Sequence, residues 1–91
     1  GGYDTGAACE NLCLQAVSLG LVAHQMGGFH YNKLIDLCKL PDTYIPMSMI
    51  SIGYQAEPNI LEEEYKKTEL AERKRSSLNE NFFYNEYQNP L

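Results

Sequence analysis

Hydrophobic and polar positions change period several times along this chain, and each change predicts an element. In "DTGAACENLCLQAVSLGL" the residues Ala7, Ala8, Cys9, Leu12, Cys13, Leu14, Ala16, Val17 and Leu19 predict a helix over 4–19. They cover nearly the whole circumference, whereas a surface helix carries one apolar stripe. Such a helix is buried on several sides, and 91 residues hold too little other material to wrap it. Asp4 is the expected N-cap, because its carboxylate accepts from N–H groups two or three residues on. Gly20 is the expected stop. "LVAHQM" then reads as a short strand, 21–26, followed directly by Gly27 and Gly28. In "HYNKLIDLCKL", Leu34, Leu37 and Cys38 stand at helical spacing and predict a helix over 30–39, closed by Pro41.

The pattern shifts again in "YIPMSMISIGY". Residues alternate there, but both faces carry large apolar side chains, which predicts a strand over 44–53 buried for most of its length. Pro46 sits near its start, where a missing N–H is tolerated. Charge dominates "EPNILEEEYKKTELAERKR". Pro58 and Asn59 open a predicted helix over 59–72, solvated on most of its surface, with Glu62 and Lys66 in the favourable i, i+4 order. The last stretch, "SSLNENFFYNEYQNPL", reads as an extended tail over 76–91. Its Phe82, Phe83, Tyr84 and Tyr87 are expected to lie on a partner.

Composition narrows the function classes. The hydrophobic fraction, 44%, is that of a folded chain, and the length allows one small domain or part of a larger one. Twelve acidic side chains against seven basic ones give a net charge of −5, which argues against a general nucleic-acid binder. No apolar run is long enough to span a bilayer, and no charged segment leads into an apolar signal core. Cys9, Cys13 and Cys38 are an odd set without metal-site spacing, which fits free thiols in a reducing, cytoplasmic setting. Cys9 and Cys13 lie one helical turn apart, but no second Cys or His pair stands ready to complete a metal site.

Three features carry candidate chemistry. Paired glycines after a strand mark either a positive φ or something that must approach the backbone closely. "RKR" places Arg73, Lys74 and Arg75 behind an acidic helix. Guanidinium matches phosphate bidentately, although cations near a helix C-terminus are favourable in their own right. His24 and His30 show no orienting partner, so His24 is expected as a hydrogen-bonded residue near the core and His30 as a helix-start residue. Met47 and Met49 read as core filling.

Taken in order, "YDTGAACENLCLQAVSLGL", "MGGF", a helix ending "LCKLPD", "YIPMSMISIGYQAE" and "ERKRSSLNENFF" resemble the C-terminal half of an FMN-dependent nitroreductase. The resemblance covers roughly residues 3–83 and lacks the family's N-terminal half. It implies an α+β fold, a mixed sheet flanked by helices in a homodimer, with residues 1–91 as the C-terminal portion of one domain. A companion N-terminal chain or a missing half would complete it. It also implies FMN as cofactor, NAD(P)H as hydride donor, and nitroaromatics or quinones as acceptors. Met26, Gly27 and Gly28 would occupy the turn whose N–H groups meet the reactive flavin edge. Arg75 and Arg73 would hold the FMN phosphate, with Lys74 pointing away. No catalytic acid–base pair is implied in this segment, and the chain alone is expected to be inactive. Two other readings stand beside this one: a truncated, non-enzymatic dimerisation module, and a relative running a different flavin reaction on the same scaffold.

Overall fold

The computed structural model describes residues 1–91. It is an α+β chain in two compact units, Gly1–Ala56 and Glu57–Leu91. The first unit holds α1 (Gly2–Ser18), β1 (Val22–Met26), α2 (Tyr31–Cys38) and β2 (Met49–Gly53). The second holds a 3₁₀ turn (Pro58–Ile60), α3 (Glu63–Leu70) and α4 (Leu78–Asn81). No helix is long and apolar enough to cross a membrane.

The long helix α1 begins at Gly2, with Gly1 as N-cap. Asp4 is therefore not the cap. It lies in the first turn, where a carboxylate still meets the positive end of the helix dipole. At the other end the expected stop is in place. Gly20 takes a left-handed φ of +79°. Its N–H donates to the Val17 carbonyl at 3.0 Å, and the Leu21 N–H donates to the Ala16 carbonyl at 2.9 Å. These two bonds satisfy carbonyls that the last helical turn leaves without partners. The chain then turns directly into β1, which packs on α1. Ala16, 5% exposed, is the buried residue of this contact.

The sheet consists of β1 and β2, antiparallel, with Val22 opposite Gly53 and Met26 opposite Met49. Two strands alone are marginal in water, and packing against a helix is what makes such a pair persist. The expected strand over 44–53 is confined to Met49–Gly53. Residues 44–48 are irregular, because Pro46 has no N–H for a ladder. Nor is that strand buried for most of its length: Met49 and Ile52 are 41% and 46% exposed, and only Ile50 and Gly53 are half-buried. Met47 is also exposed rather than core. In α2 the end comes at Cys38, where Lys39 adopts a left-handed φ of 52° and the Leu40 N–H reaches the Ile35 carbonyl. Pro41 follows the stop without causing it.

In the second unit the expected helix over 59–72 is two pieces. Pro58 opens a 3₁₀ turn, the backbone is extended at Leu61 and Glu62, and α3 runs from Glu63. Its residues are exposed apart from half-buried Lys66, in keeping with their charge. The tail is not extended throughout. Ser77 and Glu80 form a reciprocal capping box, with the Ser77 N–H donating to the Glu80 carboxylate at 2.7 Å, and this starts α4. Beyond it, Phe83 and Tyr87 meet edge to face at 5.1 Å, and the Tyr84 N–H donates to the Asn89 carbonyl at 2.9 Å. The aromatic tail thus partly folds on itself, while Phe82, Tyr84 and Tyr87 stay exposed.

Gly20 carries the helix-to-strand reversal in a conformation that L-residues resist. Gly20→Ala is expected to destabilise the protein that carries this chain by about 1–2 kcal/mol. Urea unfolding would measure it, and a change within about 0.5 kcal/mol, the range of a neutral surface substitution, would contradict this account of the turn.

Candidate functional site

On α1, Gly2, Thr5, Gly6 and Cys9 follow one another at spacings of three, one and three. That spacing puts them on one helix face. Two are glycines and the others are short, so the face is low and a neighbour can come close. The C-terminal end of β1 runs past it, and together they bound an open cleft of about 300 Å³. Gln25, Met26 and Gly27 line it from the strand side, and Met47 and Ser48 from the segment leading into β2. The volume is at the small end for a ligand site. A hydrogen bond from Gln25 Nε2 to Glu10 Oε2, 3.3 Å, ties strand to helix beside it. A Cβ on Gly2 would lie 3.0 Å from the Met47 terminal methyl, so glycine there lets that methionine approach the helix.

Of the two cases the sequence left open for the paired glycines, the backbone removes the first. Among the glycines only Gly20 has a positive φ, so neither Gly27 nor Gly28 is required by backbone conformation. A Cβ on either would meet nothing within 4 Å. The turn between β1 and α2 therefore leaves an unobstructed approach to its main chain. The N–H groups of Gly27 and Gly28 donate to no backbone carbonyl. The turn's carbonyls, in contrast, are engaged. The Tyr31 hydroxyl donates to the Gly27 carbonyl at 3.0 Å. The Ser48 hydroxyl lies 3.4 Å from the carbonyls of both Met26 and Met49. Of the three residues predicted for this turn, Met26 and Gly27 line the cleft and Gly28 follows just outside its lining.

Arg73 and Arg75 belong to the second unit. Both are exposed, in the irregular segment between α3 and α4. The Arg75 guanidinium donates to the Lys74 carbonyl at 2.9 Å, a local contact that a stronger anionic acceptor can displace. His30 is the N-cap residue of α2, as expected of a helix-start residue. His24 is exposed on β1, not near the core, because the face it occupies is not covered within the first unit. Cys9 and Cys13 are half-buried free thiols and Cys38 an exposed one. No group of three or more His, Cys, Asp or Glu side chains is arranged to hold a metal ion.

Sequence reasoning missed Gly2, Thr5, Gly6 and Cys9, although the signal was present. Small residues repeating at i, i+3, i+4 and i+7 mark a helix face built for close approach. It was hidden because the helix was read as apolar all round. Tyr31 carries no comparable signal, since nothing in its spacing to Gly27 distinguishes a hydrogen bond from a chance separation of four.

A curated protein of Mycolicibacterium smegmatis, described as "Uncharacterized 15.4 kDa protein in ask 5'region", is 31% identical over 88 residues, which are 97% of this chain and 59% of that protein. A solved structure described as "The crystal structure of the oxidoreductase containing FMN" superposes with a TM-score of 0.86 at 25% identity. It covers 96% of this chain, which in turn covers 43% of it. The chain thus spans little more than half the length of the first relative and less than half of the second. The family profile described as "Nitroreductase family" matches residues 3–54, a stretch that contains all of α1 but its first residue, the glycine turn and both strands. On that match the chain belongs to the Nitroreductase family.

Proposed function

We propose that this chain is the C-terminal portion of an FMN-dependent oxidoreductase that passes hydride from NAD(P)H to a nitroaromatic or quinone acceptor. The observation that carries the reading is the glycine turn: unobstructed main chain, two N–H groups without backbone acceptors, and a cleft at its side. Family membership and the FMN-containing structural neighbour support the choice of cofactor. Bound FMN supplies the hydride chemistry, so the protein's work is to place and tune it.

In this reading the N–H groups of Gly27 and Gly28 are preorganised donors toward the electron-accepting edge of the ring. Fixed dipoles of that kind cost no reorganisation when charge develops. Met26 forms a wall of the cleft, and Arg73 and Arg75 take the phosphate. No side chain need exchange a proton with substrate, which suits a site whose cleft is lined by glycines, sulfur-bearing side chains, hydroxyls and one amide.

The exposed apolar side chains around the C-terminal half of α1 bear on assembly. Leu12, Leu14, Val17 and Leu19 are between 44% and 66% exposed. Leaving that much aliphatic surface in water is unfavourable by roughly 25 cal/mol per Å². We take it to be covered by another chain, a second copy in a homodimer or a companion N-terminal chain. Sedimentation of the isolated 91-residue chain is expected to show association or an unfolded species. A compact, stable monomer would contradict this.

Two substitutions test the cofactor assignment. Gly27→Val adds bulk on the cleft side without a steric conflict in the fold. It is expected to weaken FMN binding at least about tenfold, roughly one lost hydrogen-bonded contact, while leaving the unfolding midpoint in place. Arg75→Ala is expected to weaken binding roughly tenfold to hundredfold, the worth of a charge-assisted hydrogen bond. Lys74→Ala should do much less. FMN titrations that show equal losses at 74 and 75 would reduce the arginine's role to diffuse charge, and wild-type protein that takes up no FMN would remove the proposal altogether.

A further inference from the structure

The glycines that open the approach create a second problem. A peptide between two glycines has more rotational freedom than any other, so the Gly27–Gly28 unit can turn over and aim its N–H elsewhere. A donor that rotates is not preorganised. Something must hold that peptide plane, and one side chain does.

Tyr31, the first residue of α2, reaches back four residues and donates its hydroxyl proton to the Gly27 carbonyl at 3.0 Å. Its ring is itself located: it lies against Phe29, centroids 4.5 Å apart and planes inclined by 50°. Tyrosine has only two rotatable side-chain bonds, so ring packing fixes the hydroxyl with little entropy left to lose. The peptide group is planar and trans, so the Gly27 carbonyl and the Gly28 N–H lie in one plane and point in opposite directions. Holding the carbonyl therefore aims the N–H away from Tyr31. The other hydroxyl near the turn does not compete for this role. Ser48 sits 3.4 Å from two carbonyls and can give its single proton to only one, at a length where such a bond is weak.

We propose that Tyr31 is a positioning residue that clamps the Gly27–Gly28 peptide and so sets how strongly the turn favours a reduced flavin over an oxidised one. The redox half of this statement rests on the FMN assignment above; the clamping half does not. An N–H held toward the ring stabilises the electron-rich reduced state more than the oxidised one. Tyr31 itself touches neither cofactor nor substrate in this role and acts through the peptide.

The experiment is Tyr31→Phe, which keeps the ring against Phe29 and removes only the hydroxyl. Tyr44→Phe is the comparison: it removes an equivalent hydroxyl from an exposed tyrosine of the same unit that is no part of the cleft lining. The first readout is amide ¹⁵N relaxation of Gly28 in the complete protein without flavin. The order parameter is expected to fall from about 0.85 toward about 0.6 in Tyr31→Phe and to stay in place in Tyr44→Phe. An unchanged Gly28 amide in Tyr31→Phe overturns the clamp, whether or not the protein binds FMN. The second readout is the midpoint potential of the FMN-loaded protein. Removing the clamp is expected to reduce the preference for reduced over oxidised flavin by up to about tenfold, which for two electrons is about 30 mV toward negative potential. A loosened amide with an unchanged or more positive potential, or an equal shift in Tyr44→Phe, overturns the tuning role. Failure of the wild type to bind FMN at all counts against the functional proposal, while the amide readout still decides the clamp.

Discussion

Between Ala16 and Leu21 the chain reverses from helix to strand on two backbone hydrogen bonds and one left-handed glycine. Because that reversal is tight, β1 starts beside the end of α1 and must run back along it. The different rises of helix and strand then decide what meets what. From Leu21 to Gly27 the strand covers about 20 Å at its usual rise. A helix needs about thirteen residues for the same distance, and counting back from Leu19 arrives at Gly6. The cleft lining is Gly2, Thr5, Gly6 and Cys9 against Gln25, Met26 and Gly27, so the meeting point follows from the turn. Moving the cap by one residue would rotate α1 by about 100° and present a different face to the strand end.

Small residues at that meeting point trade stability for access. Gly2 and Gly6 each cost a helix roughly 0.5–1 kcal/mol relative to alanine, and Gly27 and Gly28 forgo any side chain to pack. Nothing in their φ values asks for glycine. The loss is intelligible where the backbone itself is the functional surface, because a side chain on the cleft side would occupy the space the main chain needs to present. The exposed apolar side chains on opposite sides of α1 are a second cost of the same kind: they leave leucines in water within this chain and make sense when further protein covers them.

Local chemistry made several elements legible in the sequence. Gly20 ends α1 because glycine is the residue for a left-handed cap, and His30 opens α2 after the paired glycines. The ordered motifs named the family, and that membership holds over residues 3–54. Elsewhere the reading failed for identifiable reasons. Alternation alone predicts a strand over 44–53, but Pro46 lacks the N–H a ladder needs and the strand is confined to Met49–Gly53. The tail's aromatics favour extended backbone, but "SSLNE" spells a capping box that starts a helix, and extended backbone at Leu61 and Glu62 breaks the helix expected over 59–72. The burial expected for β2 and His24 presumed covering layers that the first unit does not itself provide.

Access and order pull against each other at the glycine turn. Every substitution that would stiffen it by adding a Cβ would also fill the space beside the main chain, since a Cβ at either position would project into room with nothing within 4 Å. Order therefore has to be imposed from the carbonyl side of the peptide, the side away from the N–H. A short side chain from the segment before β2, Ser48, lies at 3.4 Å from two carbonyls and can serve only one at a time. A rigid side chain starting the next helix reaches one carbonyl at 3.0 Å and brings its own packing partner in Phe29. Because that residue is the first of α2, its hydrogen bond ties the orientation of the turn to the start of that helix.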